Sequence, residues 1–126
     1  MRILIDTHIL IWHLEGDEQL SPDRRLLITD PANVIFVSIA SFWEVAIKSS
    51  LGKLSLSRSI SEIFAEVDSS ATSLLAIEPI HTLKVSSLPF HHKDPFDRMI
   101  IAQALVEDLS LVSNDVNFAT YGVDLL

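Results

Sequence analysis

Four acids spread along the chain are the residues best placed to do chemistry: Asp6, Glu44, Asp97 and Asp115. Each falls just after an apolar run that reads as a strand, or in the first turn of a helix that follows one. In open α/β sheets, sites lie outside the carboxyl ends of the strands, so all four can reach one sheet edge. A carboxylate at a buried strand end must be paired, protonated or bound to a cation. Oxygen-only clusters bind hard cations such as Mg²⁺ or Mn²⁺.

Each acid also has a plainer role to play. Asp6 can cap the helix after it, although Thr7 can do that job. Ser41-x-x-Glu44 has capping-box spacing, and Glu44 to Lys48 is the favoured i,i+4 ion pair. Asp97 suits a helix N-terminus, where Asp94 is the expected cap and Pro95 the first helical residue. Asp115 in Ser113-Asn114-Asp115 can make an Asx turn. Two observations favour a site. Asp97 aligns with Ile100, Ile101, Ala104 and Leu105 on the core-facing stripe. Glu44 shares its face with Ala40, Ile47 and Leu51.

The elements that must position these acids alternate in type. Strands are expected over 2–6, 34–37, 74–77 and 111–113, with a short fifth near 123–125. Helices are expected over 8–15, 21–29, 38–51, 59–70, 81–87 and 94–108. The strand runs are apolar without a polar break, which suits a parallel sheet buried on both faces. Gly16 and Gly52 stop helices, and 91–93 reads as a loop with solvated His91 and His92. The chain has 126 residues and no linker or repeat, so one domain over 1–126 is expected.

Composition removes several alternatives. There is no cysteine, which excludes disulfides, thiolate zinc sites and cysteine nucleophiles. Only three glycines are present, and none builds a phosphate loop. No H-E-x-x-H or G-x-S-x-G pattern occurs. No apolar run approaches the roughly 20 residues of a membrane span, and Asp6 and His8 interrupt the N-terminal run too early for a signal peptide. A soluble, cytoplasmic protein is expected. The net charge of −8 argues against tight non-specific nucleic-acid binding. Cations bound by the acids would cancel much of it.

The segments 4–8, Ser38 with Glu44, 94–102 and 113–115 resemble, in order and spacing, the PIN-domain family, and within it the VapC-type toxins of bacterial type II toxin–antitoxin pairs. The resemblance covers nearly the whole chain. It implies a three-layer α/β/α fold with a central parallel sheet of four or five strands, and a Mg²⁺- or Mn²⁺-dependent ribonuclease. It implies that Asp6, Glu44, Asp97 and Asp115 form the acidic site, with Thr7 and Asn114 in support. It further implies an RNA substrate, a homodimer and a cognate antitoxin. Lys48 and Arg98 are candidates to hold the RNA backbone. The apolar residues Phe42, Trp43, Ile63 and Phe64 of the 38–70 hairpin are expected to line a partner surface. Two readings from other classes compete: a phosphotransfer domain using Asp6 as nucleophile, and a non-catalytic partner-binding module. The first commonly needs a second acid adjacent to the nucleophile or two residues on, and Asp6 has Thr7 and His8 there.

Overall fold

A computed structural model describes residues 1–126. Its elements follow in the order β1 (Arg2–Ile5), α1 (Thr7–Glu15), α2 (Pro22–Thr29), β2 (Val34–Ser38), α3 (Ile39–Ser50), α4 (Ile60–Ser69), β3 (Ser73–Leu75), α5 (Pro79–Ser87), α6 (Pro95–Glu107) and β4 (Ser110–Val112). A 3₁₀ helix over Val116–Tyr121 follows.

The four strands form one parallel sheet in the order β3-β2-β1-β4. β1 is central because both its neighbours need it: Ile5 pairs with Val37 on one side and Val112 on the other. A strand buried on both faces carries apolar residues at every position, and successive side chains serve opposite layers. Ile3 and Ile5 pack with Ile9, Leu10, Leu20, Ile35, Val37 and Val67, under α1, α2 and α4. Leu4 packs on the other face with Ala40, Ile100, Ile101, Leu111 and Phe118, under α3 and α6. This is the expected three-layer α/β/α arrangement. Burial of each such Ile or Leu contributes about 1.5–3 kcal/mol.

The expected fifth strand is corrected. The C-terminal segment touches the sheet only through a single bridge from Leu111 to Leu125, so the sheet has four strands. Helix ends also carry information. Gly16 stops α1 in the left-handed region at φ 64°, which glycine enters without steric cost. At the end of α6 the same role falls to Asp108, at φ 54°, the one non-glycine residue with positive φ.

Candidate active site

Asp6 leaves β1 and caps α1 in the same step. Its Oδ1 accepts the Ile9 N–H at 2.9 Å, which fixes a buried carboxylate at the carboxyl edge of the sheet. The expected cap, Thr7, is corrected: it is the first helical residue, and its hydroxyl donates to Ser41 Oγ at 2.9 Å, tying α1 to α3. Burial pushes the Asp6 carboxyl above its ordinary range, and Glu44 adds to the rise. The Ser113 hydroxyl, the Ile9 N–H and nearby His8 oppose it.

Glu44 is buried on α3. The Ser41–Glu44 capping box does not form, because α3 starts earlier with Ser38 as its cap. The i,i+4 pair does form: Lys48 Nζ donates to Glu44 Oε2 at 2.5 Å. Glu44 Oε1 is buried with no hydrogen-bond partner. A carboxylate oxygen removed from water without a donor is costly. What that atom lacks is a donor of its own, since Lys48 bonds only the other oxygen.

Asp94 caps α6, accepting the N–H groups of Phe96 and Asp97 at 2.8 and 3.0 Å. That leaves the Asp97 carboxyl free. It is pushed up to about 7, first by desolvation and then by Asp94, Glu44 and Asp6, with His92 opposing. Asp115 lies further out. Desolvation would raise it, but a hydrogen bond from His92, the Asn117 N–H and the nearness of the imidazole leave it below the usual carboxylate range.

Asp6, Asp97 and Asp115 line one pocket of about 310 Å³, together with His8, Trp12, Asn114 and Phe118. Glu44 is not among the lining residues; it stands behind them and reaches Asp6 and Asp97 through its charge. No three acidic or histidine side chains converge tightly enough to form a ready-made cage. Asp6, Asp97 and Asp115 therefore border a space, and Asp6, Glu44, Asp94 and Asp97 act on one another by repulsion. A larger groove of about 620 Å³, between Gly16 and Thr29, is remote from all four.

The sequence model of the PIN domain matches residues 3–123. The chain belongs to the PIN-domain family. Solved structures with the same fold include VapBC2 from Rickettsia felis bound to a promoter DNA fragment, at 17% identity and TM-score 0.74 over 100% of this chain and 98% of that one. VapBC-1 from nontypeable Haemophilus influenzae is similar at 17% identity and TM-score 0.69, over 100% and 97% of the two chains. A toxin–antitoxin complex from Klebsiella pneumoniae is similar at 20% identity and TM-score 0.64, over 98% and 95%. No curated protein sequence gives a match.

Around the acids of this PIN domain, the supporting residues divide. Asn114 Oδ1 accepts from Arg24 Nη1 at 2.8 Å, and the same guanidinium bonds the Leu126 carbonyl. Arg24 was not anticipated, because 90 residues separate it from Asn114. Lys48 is held protonated, chiefly by its bond to Glu44 and also by the charges of Asp94 and Asp97. Arg98 is corrected. It is buried, and its guanidinium donates to the carbonyls of Val85, Leu88, Pro89 and His92. Those bonds bind the loop before α6 to the helix and leave no free cation for a phosphate.

His92 is the residue missed most plainly. It is not a solvated loop residue: Nε2 meets Asp115 Oδ2 at 2.8 Å and Nδ1 meets the Tyr121 hydroxyl at 3.1 Å. Its ring also lies edge-on to Phe118. No local spacing announces this pair, since it forms only when the α5–α6 loop folds over the 3₁₀ helix.

Proposed function

We propose that this PIN domain is a divalent-metal-dependent endoribonuclease, acting as the toxin of a toxin–antitoxin pair. The observation that carries the reading is one pocket lined by Asp6, Asp97 and Asp115, with a buried, partnerless Glu44 oxygen behind it. An all-oxygen donor set of mutually repelling acids fits Mg²⁺ or Mn²⁺ and suits few softer metals. Asp6 and Asp97 would hold the cation directly, Asp115 would complete the shell, and Glu44 would hold the cation or orient water. When bound, such a cation supplies Lewis acidity, acidifying water and screening the charge that gathers on phosphate during hydrolysis.

The protein's own residues do the positioning. The cap bond to Ile9 holds Asp6 in one orientation. His92 and the Asn117 N–H hold Asp115. Lys48 keeps one oxygen of Glu44 engaged and presents a partly exposed cation beside the acids, where it can meet an RNA phosphate.

The partner reading is drawn from what the similar structures are. They are toxin–antitoxin complexes, and on that ground we assign this chain an antitoxin partner; the homodimeric state rests on the resemblance of the sequence to VapC-type toxins. On the hairpin, Ile63 is buried and the half-buried Phe42 stacks on Phe64 at 4.2 Å, while Trp43 stays exposed. Ile80 and Leu83, exposed on one face of α5, are better candidates for a protein contact.

The test is incubation of purified protein with structured and unstructured RNA in Mn²⁺, with and without chelator. Metal-dependent cleavage with internal cut sites is expected, and Asp6→Asn should reduce it by at least about 100-fold while the fold is kept, several kcal/mol of barrier. Cleavage that survives both chelator and Asp6→Asn contradicts the proposal.

A further inference from the structure

An acidic nuclease faces a physical problem. Backbone recognition draws its affinity from lysine and arginine neutralising phosphates, yet the chain has nine Lys+Arg against seventeen Asp+Glu. Near the pocket the supply is small: Lys93, exposed between His92 and Asp94, is an unpaired cation, and the others are engaged. Arg98 is consumed by four carbonyls, Arg24 by Asn114 and Leu126, and Lys48, partly exposed, shares its charge with Glu44. What the pocket does have is aromatic surface. Trp12 forms part of its wall, with the His8 ring 6.0 Å away. Trp43 adjoins Glu44 in sequence and meets Phe96, the neighbour of Asp97, edge-on at 5.1 Å. Trp43 is 56% exposed, which is wasteful for so large an apolar side chain in a domain whose other face of α3 is well buried.

These are the only two tryptophans in the chain; Trp12 lines the acidic pocket, and Trp43 lies outside its lining, against Phe96 at the start of α6. We propose that Trp12 and Trp43 are base-stacking residues, which seat unpaired nucleobases of an RNA strand next to the acidic pocket. Stacking needs no positive charge and accepts any base, because every base presents a π face. It also selects unpaired strands, since bases inside a duplex are already stacked. The inference rests on the ribonuclease reading and adds the means by which the strand is gripped.

The tryptophans supply the readout themselves. A 2′-O-methyl oligoadenylate is titrated into the protein with Mn²⁺ present, following intrinsic fluorescence and checking strand integrity on a gel. Strong quenching is expected with the single strand, and little with a duplex or with an abasic strand of equal charge. Trp12→Ala and Trp43→Ala should each weaken binding by roughly 5- to 100-fold, and Phe at either position should recover most of it. Circular dichroism confirms that each variant is folded; should Trp12→Ala unfold, Trp12→Leu, which keeps apolar bulk without a ring, and Trp43→Ala carry the test. Equal affinity for abasic and adenylate strands overturns the proposal. So does wild-type strand binding by both alanine variants. A Trp43→Ala variant that changes the oligomeric state without changing strand binding makes Trp43 a protein contact instead. Wild-type protein that cleaves RNA while both variants cleave equally well sinks only the stacking inference. Wild-type protein that neither binds nor cleaves RNA sinks the ribonuclease reading with it.

Discussion

At the residue scale, the site is a set of carboxylates in tension. Asp97 titrates near 7 in the folded protein, whereas an unfolded Asp titrates near 4. Between these values the folded state holds a proton that the unfolded state has released. Stability therefore falls as pH rises from about 4 to about 7, and the penalty is complete above that. In chelator, Asp97→Asn should lose less stability across this window, only the part that the raised Asp6 contributes, and melt above wild type at pH 8. At pH 4 the two should melt together. Thermal melts across the range check this, and a variant that melts lower at pH 8 would make Asp97 a structural residue. His92 makes a separate prediction. It holds Asp115 from outside the acid cluster, and groups that orient a ligand typically carry 10- to 100-fold in affinity or activity. His92→Ala should lose about that much Mn²⁺ affinity, and His92→Gln, which keeps a hydrogen-bonding amide, should recover part. Unchanged affinity in His92→Ala would remove the imidazole from the account. Asp6, Asp97 and Asp115 were legible in the sequence because each sits at a strand end or a helix start, whereas Glu44 lies midway along α3 and is marked only by its apolar face. His92 and Arg24 were not, because their partners are 23 and 90 residues away and meet only in the folded chain.

At the element scale, the sheet was legible and the caps were less so. β1 and β2 are unbroken apolar runs in parallel pairing, and the pattern leaves little choice. Capping is decided by local backbone geometry. Asp6 took the cap expected of Thr7, and Ser38 the cap that would have used Ser41. Both outcomes serve the site: Asp6 is immobilised, and Glu44 is not drawn into a capping box. The C-terminal run does not extend into a strand because its backbone bonds to the sheet converge on one residue, Leu111. One element end is open to improvement. Asp108 closes α6 in the left-handed region, which costs a non-glycine residue about 1 kcal/mol. Asp108→Gly should stabilise the fold by up to that amount, raising Tm by roughly 4 °C without altering metal binding. A lower Tm would show that the Asp108 side chain contributes more than its backbone costs.

At the scale of the whole molecule, the two apolar layers hold β1 rigidly and so place Asp6 and its neighbours with little freedom. No helix is long and apolar enough to cross a membrane. Repulsion among the acids can be relieved by a proton or by a cation, and on the proposed reading both compete for the same carboxylates. Calorimetric titration of Mn²⁺ into the protein at pH 6 and at pH 8.5, in buffers of different ionisation enthalpy, measures that competition directly. With Asp97 near 7, binding should expel close to one proton at pH 6 and almost none at pH 8.5. Asp97→Asn should bind at least about tenfold more weakly, a loss of roughly 1.4 kcal/mol or more, and release no proton at pH 6. Absence of Mn²⁺ binding, or binding of equal strength and equal proton release in wild type and Asp97→Asn, would contradict the claim that these acids form a metal site.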